Sequence, residues 1–170
     1  MSSDIGYILF VMGVSGSGKS TIGKLLAEAL DYPFFDGDDF HPESNIKKMS
    51  AGDPLTDEDR HGWLLALNEL AKKQLGTGAV IACSALKESY RNLLQKDIDN
   101  NVHYIYLKGS FEDILYRLKQ RKGHFMPMEL LQSQFDLMSP PKDAIEIDIN
   151  QSPDKMVRFI LNALDRLKEN

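Results

Sequence analysis

The stretch 13-GVSGSGKST-21 restricts this chain more than any other. It matches G-x-x-x-x-G-K-[ST]. Before it comes a continuous apolar run of strand length, 7-YILFVM-12, and after it Ile22, Leu25, Leu26, Ala29 and Leu30 recur at helical spacing. A strand that ends in a glycine-rich loop and feeds straight into a helix is the context in which this pattern becomes a mechanism. Gly13, Gly16 and Gly18 let the backbone curl, so that the N–H groups of the loop from Val14, Ser15 and Ser17 to Thr21 are expected to point into one concavity. The following helix adds its positive end, which suits a di- or triphosphate. Lys19 is expected to reach the β- and γ-phosphates, and Ser20 to place its hydroxyl on Mg²⁺. The loop therefore implies ATP or GTP.

The rest of the chain keeps the same alternation. Apolar runs at 33–35, 80–83, 102–107 and 145–149 read as further strands. Helical patterns occupy 57–75, 87–95, 111–121, 128–138 and the segment from Pro153 onward. Strands alternating with helices predict an α/β domain with a mainly parallel sheet, and 170 residues fit one such domain. A net charge of −5 with interspersed signs leaves no basic footprint for nucleic acid. One cysteine, Cys83, excludes a disulfide framework and a multi-cysteine zinc site. The apolar run at 8–14 is too short for a signal peptide or a membrane span, which points to a cytoplasmic protein with small-molecule partners.

Two absences narrow what happens to the nucleotide. No Asn-Lys-x-Asp guanine reader is found, and 80-VIACSAL-86 lacks the aspartate with which many ATPases of this type hold their metal. Asp36, at the end of the second strand, is the nearest candidate to complete the magnesium shell. From there the chain runs 36-DGDDFHPESNIKKMSAGDPLTDEDRHGWL-64. In an extended segment Asp36 and Asp38 would point the same way, one toward a metal-bound water and the other toward a substrate hydroxyl. His41, Asn45, Lys48, Asp57, Asp59 and Arg60 supply hydrogen-bond partners for a polyhydroxylated, anionic molecule. The guanidinium forks of Arg60 and Arg91 match a carboxylate, and Lys48 is a candidate of the same kind. Trp63, Met49 and Cys83 read as packing residues. Arg117 and Arg121, four apart, share a helix face.

The same stretch resembles the signature of the small P-loop gluconokinases, D-G-D-x-x-H-P-x-x-N-x-x-K-M-x-x-G-x-P-L-x-D-x-D-R-x-x-W-L, at every fixed position from Asp36 to Leu64. Farther on, 82-ACSALKESYRNLL-94, 121-RKGHFMP-127 and 133-SQF-135 resemble further segments of that family; Met138-Ser139 departs from it, at a position expected to touch lid packing. The resemblance covers nearly the whole chain. It implies a three-layer α/β/α kinase fold with a five-stranded sheet, a substrate-binding segment at about 36–64 and a mobile helical lid at about 121–140. It also implies ATP-dependent phosphorylation of D-gluconate to 6-phosphogluconate with Mg²⁺, and a possible homodimer. Asp38 would hold the accepting hydroxyl and take its proton, and Asp36 would act through the magnesium shell. Arg117 would take the base, Arg121 with Lys122 the developing phosphate charge, and His124 of the lid would join the substrate contacts. The competing readings are a related kinase for shikimate, another sugar acid or a nucleotide, and a silent nucleotide-binding regulator. The stretch from His41 to Trp63 argues against shikimate and a nucleotide, and the intact Lys19, Ser20, Asp36, Asp38 and lid arginines argue against the regulator.

Overall fold

The computed structural model of the protein describes residues 6–121 and 127–169. Its centre is β1, Ile8–Met12, whose five residues are all buried. With no polar residue to turn toward water, such a strand must be covered on both faces. It is: β1 pairs in parallel with β3 (Ala79–Ala82) on one side and with β4 (Val102–Lys108) on the other. The short β2 (Phe34–Asp36) and β5 (Ile145–Asp148) close the edges in the order β2-β3-β1-β4-β5, every pairing parallel. The expected five-stranded sheet is thus purely parallel.

Helix α1 (Lys19–Leu30) packs with α7 (Pro153–Lys168) on one face. Right-handed crossovers then require α3 (Asp57–Lys73), α4 (Glu88–Leu94) and α5 (Phe111–Gln120) to cover the opposite face. The core runs through both layers, joining Phe10 and Ile81 of the sheet with Leu26 of α1, Leu64 and Leu67 of α3, and Ile160 of α7. The chain leaves β1 toward one edge of the sheet and β4 toward the other. A crevice therefore opens beyond the carboxyl ends of these strands, where open α/β sheets bind ligands. Among the described residues no helix is long and apolar enough to cross a membrane.

Two features depart from expectation. After β2 the chain does not stay extended: Gly37–Phe40 forms a 3₁₀ turn, with the Asp36 carboxylate accepting from the Asp38 N–H at 3.0 Å. A further helix, α2 (Glu43–Ser50), lies within the segment expected to bind substrate, where the periodicity predicts none. Its sequence, ESNIKKMS, buries only Asn45, so it carries no apolar stripe to announce it. The last helix before β5, α6 (Met128–Leu137), lies against α5, and Phe135 meets Phe111 edge to face at 5.5 Å.

Candidate active site

The nucleotide loop is built as the sequence demands. Gly16 and Gly18 adopt φ of 84° and 97°, the left-handed region that a side chain disfavours. Gly18 caps α1 without any side-chain acceptor, and the first intrahelical bond runs from the Ile22 N–H to the Gly18 carbonyl at 3.0 Å. The N–H groups of Lys19, Ser20 and Thr21 are thereby left for a ligand at the positive end of the helix. Lys19 folds back on its own loop, its Nζ donating to the carbonyls of Gly13 (3.1 Å) and Val14 (3.0 Å). Burial lowers its pKa first, with the Arg121 charge adding to the effect, while Asp38 and Asp36 pull it back up. Ser17 Oγ is buried with no hydrogen-bond partner among the described residues.

Ser20 Oγ donates to Asp36 Oδ2 at 3.0 Å. This juxtaposes a hydroxyl and a carboxylate at the phosphate end, both hard oxygen donors of the kind magnesium takes alongside phosphates and water. Among the described residues there is no cluster of three His, Cys, Asp or Glu that could hold a metal by itself. Residues and ion fit on that footing: a shared site with the nucleotide rather than an all-protein cage. Asp36 and Asp38 do diverge from the simple same-side reading, because the 3₁₀ turn intervenes. Asp36 faces Ser20 and its own turn, and Asp38 stands in the mouth of the cleft. Gly37 between them makes this possible: a Cβ there would lie 2.4 Å from the Ala82 carbonyl oxygen of β3.

Ser15, Lys19, Asp38, His41, Arg60 and Trp63 line one cleft of about 330 Å³, together with Met49, Ser84, Leu86, Pro127 and Gln134. The Asp38 pKa is raised, first by removal from bulk water and then by Asp36 and Asp39, against the pull of Lys19. Water still reaches 78% of its side chain, which damps the effect. Asp39 is exposed. His41 stacks on Trp63 at 4.0 Å and 17°, and Trp63 Nε1 donates to the Gly37 carbonyl at 2.7 Å. Trp63 therefore both packs and walls the cleft. Met49, expected only to pack, also reaches the wall. Burial, helped by the Arg60 charge, lowers the His41 pKa to about 4, so the ring is neutral at physiological pH.

Arg60 is anchored on one side and open to the cleft on the other. Its Nη1 donates to the Leu55 carbonyl (2.7 Å) and to Tyr90 Oη (2.9 Å), and Tyr90 in turn donates to Asp57. Arg91 and Lys48, the other carboxylate candidates, do not line the cleft. Arg91 turns away, giving Nη1 to Ala85 O at 2.7 Å and Nη2 to Ser139 O at 2.5 Å. Its fork serves three loop carbonyls, including Leu86 O, which also accepts from the Ser139 N–H at 2.8 Å. It thus ties the Ser139 segment down, where the sequence departs from the gluconokinase pattern. Lys48 is held by Asp59 at 2.6 Å, and that contact, with the Thr56 N–H, lowers the Asp59 pKa to about 2. Asn45 is buried beneath His41 instead of facing the cleft, with its amide nitrogen 3.2 Å from His41 Nδ1.

At the far end Arg117, expected to take the base, gives its Nη2 to the Ile149 carbonyl at 2.6 Å, just after β5. Arg121 is exposed at the end of α5. Lys122, Gly123 and His124 lie outside the described residues. One residue, quoted in the sequence only within 133-SQF-135, is given no role there. Gln134 of α6 accepts from the Ser15 N–H at 2.7 Å and donates to Ser15 Oγ at 3.0 Å, bridging the last third of the chain to the nucleotide loop. Cys83, at the end of β3, is sealed in the core, and burial pushes its thiol up to about 12.

A family model described as shikimate kinase matches residues 15–162. The chain is 44% identical to a probable gluconokinase of Mus musculus, over 92% of this chain and 97% of that protein. It is 43% identical to the thermoresistant gluconokinase of Escherichia coli K12, over 95% of each. A crystal structure of a gluconokinase from Sinorhizobium meliloti 1021 superposes with a TM-score of 0.88 at 43% identity, covering 98% of this chain and 95% of that one.

Proposed function

The chain belongs to the gluconokinase family, within the P-loop kinases of the shikimate kinase type, and on that premise we propose that it phosphorylates D-gluconate with ATP to give 6-phospho-D-gluconate and ADP. The observation that carries this reading is a single cleft in which the phosphate-binding Lys19 and the carboxylate of Asp38 meet beside Arg60 and His41. A phosphoryl donor, a hydroxyl acceptor and an anionic end of the acceptor each have a group of suitable chemistry there.

In this reading the loop N–H groups and Lys19 hold the phosphates, and Ser20 and Asp36 hold Mg²⁺, which when bound neutralises charge on the phosphate oxygens. Arg60 presents the free side of its guanidinium to the gluconate carboxylate. Asp38 accepts a hydrogen bond from the terminal hydroxyl and orients it. The hydroxyl oxygen forms its bond to phosphorus as the bond from phosphorus to the ADP oxygen breaks, and the released proton passes to Asp38. Because phosphoryl transfer is largely dissociative, Asp38 contributes more by positioning than by early deprotonation. Arg121, whose charge is felt at Lys19, faces the charge that develops on the transferred group. Arg117 and the loop beyond Ile149 flank the base.

The test is ADP release across D-gluconate, other aldonates, shikimate and nucleoside monophosphates. Turnover of gluconate above the other acceptors is the expected result. Turnover confined to shikimate or to a nucleotide would sink the assignment, and silence with every acceptor would favour a regulator.

A further inference from the structure

Asn45 is the one polar side chain of α2 that is buried, and its amide nitrogen has two neighbours. It lies 2.9 Å from the Asp59 carbonyl oxygen and 3.2 Å from His41 Nδ1. A backbone carbonyl can only accept, so the atom facing it must be the amide nitrogen and not the amide oxygen. The Asp59 carbonyl is itself held in place, because Asp59 closes a reciprocal capping box with Thr56 at the start of α3. With one amide hydrogen given to Asp59, the other points at Nδ1. A nitrogen that accepts cannot also carry a proton, so the ring hydrogen of His41 must sit on Nε2.

Nε2 is the atom that faces the cleft: it lies 3.9 Å from Asp38 Oδ1. That gap is too long for a direct hydrogen bond but suits one oxygen between the two. An oxygen about 2.8 Å from each atom would see them nearly at a right angle, an acceptable arrangement for a hydroxyl that receives one hydrogen bond and gives another. The ring is not free to adjust, since its side chain is only 4% exposed and is stacked on Trp63.

We propose that Asn45 is a positioning residue that locks His41 as its Nε2–H tautomer, so that His41 donates a hydrogen bond to the same acceptor hydroxyl that donates to Asp38. The pair then reads a hydroxyl with a defined orientation: lone pair toward His41, proton toward Asp38, third direction open to the phosphoryl group. With its only proton used as a donor, His41 cannot serve as the base. The tautomer itself does not depend on which substrate is used; its role in turnover rests on the gluconate reading above.

The two parts are tested separately. Long-range ¹⁵N–¹H NMR of the resting full-length protein at neutral pH reports the tautomer of each histidine, with His41 assigned by the signal lost in His41→Gln. The Nε2–H pattern is expected, and an Nδ1–H pattern overturns the proposal whatever the enzyme's substrate. In Asn45→Leu the tautomer becomes mixed, and kcat/KM for gluconate falls on the order of tenfold, the worth of about one hydrogen bond. KM for ATP stays unchanged. Asn45→Asp goes further, because a carboxylate beside Nδ1 draws the ring proton there and leaves Nε2 without one. Variants with normal gluconate kinetics and a displaced tautomer overturn the hydroxyl-reading role. If the variants fail to fold, the wild-type spectrum still decides the tautomer. An Nε2–H spectrum in a protein that turns over no aldonate would sink the gluconate assignment and leave the lock intact.

Discussion

Asp38 and His41 face each other across 3.9 Å, and their different protonation behaviour divides their roles. Replacing Asp38 with asparagine keeps the shape but removes the acceptor for the hydroxyl proton. The expected result is a loss in kcat of roughly 10²-fold or more with the KM for ATP retained, measured by steady-state ADP release; near-normal turnover would take Asp38 out of the mechanism. His41 carries a pH signature. A histidine in the unfolded chain titrates near 6.5, but the folded pKa is about 4. Between those values the unfolded chain binds a proton that the native ring refuses. Stability from this group is therefore complete above about pH 6.5 and is lost as pH falls through about 4, by up to roughly 3 kcal/mol. Urea titrations from pH 4 to 8 should show that slope, and it should shrink in His41→Gln. His103, also lowered by burial, contributes in the same direction and is common to both proteins. At this scale the sequence was readable by residue type but not by orientation. The fork of Arg91 suits a carboxylate as well as it suits the three carbonyls it actually serves, and only the fold decides between them.

Single residues also govern where whole elements sit. Gly37 carries β2 into its 3₁₀ turn against β3, and Gly37→Ala would place a methyl 2.4 Å from a backbone oxygen that cannot yield cheaply. The expected cost is about 1–3 kcal/mol of stability, together with reduced turnover because Asp36 and Asp38 shift with the turn; chemical denaturation and ADP release measure the two effects. The bridge from Gln134 to Ser15 fixes α6 over the nucleotide loop. In Gln134→Ala, the amides of 128–137 should exchange hydrogen faster in the resting protein, while those of β1 keep their protection. Unchanged exchange would show that packing on α5 alone holds the helix. Strands and long helices were legible because their apolar periodicity is local. Helix α2 was not, since it turns almost nothing apolar inward. The segment holding Gln134 stood out by resemblance, but its pairing left no local mark, its partner lying 119 positions away.

Across the whole molecule, the parallel sheet and its crevice follow from the strand order, and the groups that meet there come from segments after four different strands. The strand-helix alternation foretold this architecture, and the nucleotide loop foretold which end would be used. Which polar residues of the 36–64 segment reach the cleft depended on α2 and the turn, neither of which periodicity could supply. In the proposed reading Ser20 and Asp36 would hold the magnesium together with the nucleotide, and no metal cluster stands among the described residues, so the ion would belong to the reaction and not to the fold. Chelation with EDTA should therefore abolish turnover and leave the Tm unchanged; a large fall in Tm would reveal a structural metal. The burial of Cys83 has a practical reach of its own. The only sulfhydryl in the chain is sealed behind β1 and holds its proton tightly, so alkylating reagents should pass over the native protein. Any modification that does accumulate would then count openings of the central sheet, a built-in clock for unfolding, and a cysteine introduced at the exposed Tyr116 would be the single site available to a fluorescent label.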